Sequence, residues 1–393
     1  MTALKILFVV DGLWVGGTEQ SLAAMLPYLL QAGIKPIIAC FNHYPKEGVE
    51  DQVLRQGFDV RFLCGKGFIS RVRELRRLIQ LERPDLIHTA LFKADVIGRL
   101  AAMGSSTAVM TSLVSLPYDP VRFRDPDINP SKLRGVQLVD AWTARYLTTH
   151  FHAVSHAAKA AAVSSMGVQP ERITVIERGR DPDYFKQRTP EQRQQARLQL
   201  GLCEDDEVIV NVGRHEYAKG LPYLLAAMEK LIQRHPRLIL LNAGRSGRLT
   251  PELERLRDKA RLNGQVRFLG HRDDIPEILA AADLFVFPSV YEGLPGAVIE
   301  AMGLGLPIVA SGIPSIRELV EENCNALLVK PASSSELGIA IERLLKDRER
   351  AMAFGRHSRE IFEARFTLKQ SASRMIELYH QVVALKNDKT RRN

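Results

Sequence analysis

Short apolar runs rich in β-branched residues alternate with longer stretches of helical periodicity along nearly the whole chain. The runs at 4–10, 35–40, 59–63, 85–88, 107–112, 151–154 and 172–176 read as strands. Helical patterns lie between most of them, as at 17–32, 70–82, 92–103 and 155–166. Such alternation points to parallel sheets covered by helices on both faces. The rhythm breaks at 113–130, where Pro117, Pro120, Pro126 and Pro130 mark a long irregular loop before a helix near 131–149. A polar, turn-rich stretch at 177–190 reads as a linker. Strands then resume near 206–212, 237–243, 265–269, 283–287 and 306–310, and the tail from 333 onward is helical by periodicity. A length of 393 residues exceeds one ordinary core and fits two. The expected fold is therefore α/β, with two Rossmann-like, doubly wound domains at 1–185 and 186–365. A helix and tail at 366–393 are expected to pack back toward the first domain. Two such domains face each other across a crevice at the carboxyl ends of their strands.

Composition narrows the partners. With 46% apolar and 25% charged residues, the chain has an ordinary globular balance that does not indicate disorder. The net charge of +9 is not sorted into blocks and suits anionic small molecules or a phospholipid surface. No Lys/Arg run interleaves with aromatics, so nucleic acid is not an expected partner. Cys40, Cys64, Cys203 and Cys324 are scattered without metal or redox spacing, which fits a reduced, cytoplasmic chain. Leu4 to Val10 is too short for a signal-peptide core and fits a buried first strand. No apolar stretch is long enough to span a bilayer. Arg71, Arg73, Arg76 and Arg77 interleave with Val72, Leu75, Leu78 and Ile79. That pattern suits either an ordinary solvated helix face or a peripheral contact with an anionic membrane.

Three segments carry candidate chemistry. The first is 283–301, where a buried strand ends at Pro288, a Glu292-Gly293 turn follows, and a helix is expected from about Leu294 with Pro295 in its first turn. On an unbroken helix, Glu292 at the mouth and Glu300 two turns in would lie roughly 12 Å apart. That separation suits two hydroxyl-bearing rings joined by a diphosphate, which the free N–H groups of the helix start would face. A plainer reading has Glu292 complementing the helix dipole and Glu300 solvated. The second segment is 211–220, where Arg214 and Lys219 follow a strand and precede a helix at about Leu221. A planar guanidinium and an ammonium there suit phosphate oxygens. The third is 11–19, where Gly16-Gly17 lets the backbone approach a phosphate or sugar, or simply turns the chain from strand to helix. Asp125-Pro126-Asp127 and Asp181-Pro182-Asp183 read as turns, so no metal site is expected.

These segments resemble the glycosyltransferases of family 4, which have the GT-B fold. The matching pieces are Gly16-Gly17-Thr18-Glu19, Gly213-Arg214 with Lys219-Gly220, Val266 through Gly270, Ala282-Asp283, and Pro288-Ser289 with Glu292-Gly293 and Glu300-Ala301-Met302. The resemblance implies retaining, metal-independent and cofactor-free transfer from a nucleoside diphosphate sugar to a glycan, lipid-linked or small-molecule hydroxyl. It implies that Arg214 and Lys219 hold the diphosphate and stabilise its charge as it leaves. Glu292 would touch the donor sugar and Glu300 the ribose. Gly16 and Gly17 would approach the diphosphate from the first domain, with Gly213, Gly244, Gly293, Leu294 and Gly296 completing the donor site. Two departures stand out. Members often carry a histidine just after the fifth strand, where this chain reads Thr111-Ser112-Leu113-Val114-Ser115. The linker reads Glu177-Arg178-Gly179-Arg180-Asp181, without the usual Asn-Gly. His88 suits either a structural strand end or a place near the crevice. A nucleotide-sugar epimerase and a non-catalytic sugar-nucleotide binder are the alternatives on the same architecture.

Overall fold

The computed structural model describes residues 4–45 and 48–392. The chain forms two compact units, one of residues 1–179 with 368–393 and the other of residues 180–367. The division thus falls at Gly179/Arg180, six residues before the expected 185/186, and the returning crossover is at Thr367/Leu368. Local bonding explains the shift. The Arg180 N–H donates to the Phe366 carbonyl at 2.9 Å, and Arg180 bridges Thr367. Phe185 is buried, and its carbonyl accepts from Arg359.

In the first unit the described strands are β1 (Lys5–Val10), β2 (Lys35–Cys40), β3 (Asp59–Phe62), β4 (Leu86–Ala90), β5 (Ala108–Leu113), β6 (His150–Ala153) and β7 (Ile173–Val175). They form one parallel sheet in the order β3-β2-β1-β4-β5-β6-β7. The order reverses between β1 and β4, the arrangement of a doubly wound sheet. Alternate residues of β1 serve opposite faces, as a strand demands. Ile6, Phe8 and Val10 pack with helix Gly17–Gln31 and helix Leu368–Arg392. Leu7 and Val9 pack with helices Phe68–Glu82 and Phe92–Ala102. The last helix is tied to the first unit by Ser371 and Arg374, which donate to the Glu177 and Val175 carbonyls.

A buried polar chain crosses the carboxyl ends of β4, β5 and β6. The Ile176 carbonyl faces His152 Nε2 at 2.9 Å, so that nitrogen carries the hydrogen. Burial lowers the pKa of His152 to about 4 and of His88 to about 3, so both rings are neutral at pH 7. His152 Nδ1 therefore accepts from Ser112 Oγ, which in turn accepts from His88 Nε2. His88 Nδ1 is left to accept the Tyr379 hydroxyl at 2.9 Å. Both ring nitrogens of His88 are thus engaged within the first unit, and Ser112 fills the place between the two rings. Tyr379→Phe strips His88 of its buried donor and is expected to cost about 1–3 kcal/mol, read from denaturant unfolding. An unchanged midpoint would contradict the chain.

The second unit holds β8 (Glu207–Val212), β9 (Leu238–Ala243), β10 (Val266–Gly270), β11 (Leu284–Phe287), β12 (Ile308–Ser311) and β13 (Ala326–Val329) among its described residues. They form a parallel sheet ordered β10-β9-β8-β11-β12-β13. β13 was not expected from the sequence. Register with β12 supplies its pairing. Beneath the sheet, helix Leu221–Leu231 and helix Ser334–Lys346 share one apolar core with β8, β9 and β11.

The basic helix expected at 70–82 runs from Phe68 to Glu82, and only part of its charge faces solvent. Arg71 donates to the Phe41 carbonyl and Asn42, and Arg76 donates to the Leu100 and Ala101 carbonyls. Arg76 thus covers open carbonyls at the end of helix Phe92–Ala102, a role that helix C-termini favour for cations. Two of the four arginines therefore serve the fold.

Candidate active site

In the second unit the candidate residues gather where the strand order reverses. β8 and β11 are neighbours, with Leu284 beside Ile209 and Phe285 beside Val210. From there the chain winds outward in both directions, so the loops leaving their carboxyl ends diverge around a depression. After β8 come Gly213, Arg214 and His215, then a single 3₁₀ turn at Tyr217–Lys219, Gly220, and helix Leu221–Leu231. After β11 come residues 288–295 and then helix Gly296–Gly303.

The two loops are joined at their backbones. The Val290 N–H donates to the Ala218 carbonyl at 2.8 Å. Gly220 has φ +64°, and any Cβ there would collide with the Pro288 carbonyl. This contact brings Lys219 Nζ to 2.5 Å from Glu292 Oε1, across 73 residues of sequence. Ser289 Oγ donates to the same carboxylate oxygen at 3.0 Å. Lys219 Nζ also lies 5.5 Å from the Phe287 ring centroid. The pair is mostly buried, at 20% and 14% side-chain exposure, where charges are weakly screened.

Arg214 is exposed at the end of β8, and among the described residues its side chain makes no hydrogen bond or ion pair. Its loop is nevertheless well anchored. Gly213 donates to the Ala243 carbonyl, and a Cβ on Gly244 would run into the Gly213 carbonyl. His215, only 2% exposed, bonds Asn242 Oδ1 at 2.8 Å and Thr250 Oγ1 at 2.9 Å. Asn242 donates to Asn211 Oδ1, and Asn211 donates to the Val286 carbonyl. This buried polar chain pins the loop across β9, β8 and β11. The sequence reading passed over Asn211, His215 and Asn242. Their signal was an asparagine near the end of each of two otherwise apolar strands.

The helix after β11 begins two residues later than expected. A residue before proline is biased out of the helical region, so Leu294 stays outside the helix and Pro295, in an extended conformation, becomes the N-cap. Glu292 and Gly293 are therefore in a loop, Leu294 is buried, and Gly296 opens the helix. The 12 Å estimate for an unbroken helix between Glu292 and Glu300 accordingly does not apply. Glu300, the fifth helical residue, is 8% exposed and not solvated. Arg180 Nε donates to Glu300 Oε1 at 2.8 Å. A Cβ on Gly296 would meet Arg180 Nη2, so the guanidinium lies against the first turn of the helix. Arg180 was visible in the sequence only as part of the departing linker pattern. Its cation adds to the positive end of the helix dipole.

Gly16 and Gly17 belong to the first unit, at the carboxyl end of β1 beside its own strand-order reversal. Gly16 is the N-cap of helix Gly17–Gln31. A Cβ on Gly16 would collide with the Glu19 carboxylate, and one on Gly17 would lie 2.8 Å from an Arg178 guanidinium nitrogen. A larger residue at either position would have to displace the end of a flexible side chain.

Among the described residues, Glu321, Cys324 and His357 form a group with metal-ligand character, their ligand atoms within 4.8 Å of one another. None of them belongs to the loops that carry Lys219, Glu292 or Glu300. All four cysteines are free thiols, and no described helix is long and apolar enough to cross a membrane.

Family models match both halves of the chain. The model described as Glycosyltransferase Family 4 matches residues 15–184, and that described as Glycosyl transferases group 1 matches residues 192–361. An uncharacterized glycosyltransferase of Methanocaldococcus jannaschii is 31% identical over 49% of this chain, and the chain spans about half, 50%, of that relative's length. The Escherichia coli UDP-Gal:alpha-D-GlcNAc-diphosphoundecaprenol alpha-1,3-galactosyltransferase is 27% identical over 79% of this chain and 80% of its own. Among solved structures, Anabaena HepE in complex with UDP-glucose superposes with a TM-score of 0.84 at 24% identity, covering 96% of this chain and 100% of that one. Thermosynechococcus elongatus sucrose-phosphate synthase superposes with a TM-score of 0.82 at 22% identity, covering 97% and 99%. Two parallel doubly wound sheets, basic and acidic residues gathered where the second sheet reverses, and a family model on each half lead to one assignment: the chain belongs to the glycosyltransferases of family 4 and has their GT-B fold.

Proposed function

We propose that this chain transfers a sugar from a uridine diphosphate sugar to a hydroxyl of a lipid-linked glycan, with retention of anomeric configuration and without a metal ion. The observation that carries the proposal is the Lys219–Glu292 pair beside exposed Arg214, where β8 and β11 part. Two cations at that point suit a diphosphate that gains charge as it departs. In the reaction, the bond from the anomeric carbon to the diphosphate oxygen breaks and a bond to the acceptor oxygen forms on the same face. The acceptor proton passes to the departing phosphate oxygen. Glu292 faces the sugar and Glu300 the ribose. Arg180 and the first turn of helix Gly296–Gly303 hold negative charge between them. The uridine and lipid-linked assignments draw on the donor bound by HepE and on the donor and acceptor named for the E. coli relative. The reading places the enzyme on the cytoplasmic side of a membrane.

The test is a screen of nucleoside diphosphate sugars by thermal shift, followed by transfer assays. A tight donor raises the melting temperature. Transfer is expected to survive exhaustive chelation at its full rate. Loss of activity that Mg²⁺ or Mn²⁺ restores would overturn metal independence. Epimerised donor appearing without acceptor would overturn transfer itself.

A further inference from the structure

Helix Pro130–Leu147 in the first unit turns an unusual face outward. Leu133, Ala141 and Ala144 are buried, whereas Leu138, Val139, Trp142 and Tyr146 are 72%, 50%, 52% and 70% exposed. Leu138, Trp142 and Tyr146 recur every four residues and so form one stripe, roughly 12 Å long at ~1.5 Å per residue. The Trp142 and Tyr146 rings lie together, with centroids 5.9 Å apart.

The charge on this helix is one-sided. Its one acid, Asp140, points inward to Arg99 at 2.6 Å and accepts from Tyr118. Lys132, Arg134 and Arg145 are all exposed. Lys132 and Arg134 have no ion-pair partner among the described residues. At its far end the stripe meets a groove lined by Met103, Tyr146, Thr148, Arg172 and Lys386. Met103 is 53% exposed, and the buried Thr148 hydroxyl has no hydrogen-bond partner among the described residues. Among the described residues, no acid lines that groove.

Apolar and aromatic side chains flanked by cations, with no acid exposed on the helix itself, match the depth profile of an anionic bilayer surface. Tryptophan and tyrosine settle at the headgroup level, and lysine and arginine reach the phosphates. A second protein copy docked face to face would bring identical cations together. We propose that the outer face of helix Pro130–Leu147, with the adjoining groove, docks the first unit onto an anionic lipid bilayer. This inference rests on the reading of a lipid-linked acceptor, because docking places the enzyme where such an acceptor resides.

The experiment uses the full chain and vesicles of phosphatidylcholine with or without phosphatidylglycerol. The chain has two tryptophans, so Trp14→Phe leaves Trp142 as the sole indole reporter. Anionic vesicles should shift its emission to the blue, and brominated acyl chains should quench it. Leu138→Gln with Trp142→Gln should weaken vesicle binding on the order of tenfold or more. Lys132→Glu with Arg134→Glu should remove the preference for phosphatidylglycerol. All four side chains are exposed, so melting temperatures should not change. Absence of vesicle binding, or binding indifferent to these variants, overturns the proposal. Dimers that Trp142→Gln splits, without vesicle binding, overturn it in favour of a second copy. The apolar double variant should retain transfer to a water-soluble acceptor and lose it to one embedded in vesicles. If vesicle binding behaves as stated while no acceptor is glycosylated, the docking face stands and the proposed reaction fails.

Discussion

Lys219→Ala should lower kcat about 10²- to 10³-fold while weakening donor binding by less than about tenfold. The unequal effect follows from where charge develops. In the bound donor the diphosphate charge is shared with its sugar ester. As the ester bond breaks, an additional negative charge collects on the leaving oxygens, and a fixed ammonium is worth most at that moment. Lys219 is well fixed. It is 20% exposed, sits at the end of a 3₁₀ turn, and is held against Glu292 by a loop that bonds Val290 to Ala218. Arg214→Ala should cost less, because an exposed guanidinium acts through a more screened field. Steady-state kinetics with calorimetric titration of the nucleoside diphosphate separates the two effects. A raised KM with kcat intact would show that Lys219 binds the donor uniformly and takes no part in leaving-group departure.

Glu300→Gln is expected to raise the donor KM on the order of 10- to 100-fold with a small change in kcat, the loss of a charge-assisted hydrogen bond to a group that does not react. Free nucleoside diphosphate should weaken in parallel, since the ribose belongs to it. Glu292→Gln should do the opposite, lowering kcat and leaving nucleoside diphosphate binding nearly intact. Sugar contacts change as the ring flattens, whereas ribose contacts do not. Equal weakening of the nucleoside diphosphate in both variants would mean that the sugar and ribose assignments are mistaken. The structure adds a control. Arg180→Ala leaves the Glu300 carboxylate, 8% exposed, without its 2.8 Å partner. That should destabilise the second unit by up to about 3–5 kcal/mol. Adding Glu300→Gln should recover most of the loss, because the orphaned charge is then gone.

Much of this protein was legible in order along the chain. A strand buried on both faces is mostly apolar, and a surface helix must repeat its apolar residues near every fourth position. Those two periods placed the strands of the first sheet to within two residues or so. Turn chemistry placed Arg214, Lys219 and Glu292 beyond strand ends, because glycine and proline mark where a sheet must stop. Ala326–Val329 escaped, and it exists as a strand because β12 offers it a register.

What the order of residues could not decide is which strand ends meet. Lys219 and Glu292 are 73 residues apart and touch only because β8 and β11 pair. That pairing is set by which apolar faces bury best together, a property of the whole unit. Arg180 shows the same limit. In sequence it is one basic residue in a polar linker, but the chain returns beside it through Phe366 and Thr367, and it becomes the partner of Glu300. The arginines of helix Phe68–Glu82 carry the converse lesson, since a basic pattern does not say which cations are already engaged. Local sequence determined the elements and their order, because propensity and turn geometry act over a few residues. Tertiary structure alone decided which charges face one another and which face water, because burial and pairing depend on contacts between distant segments.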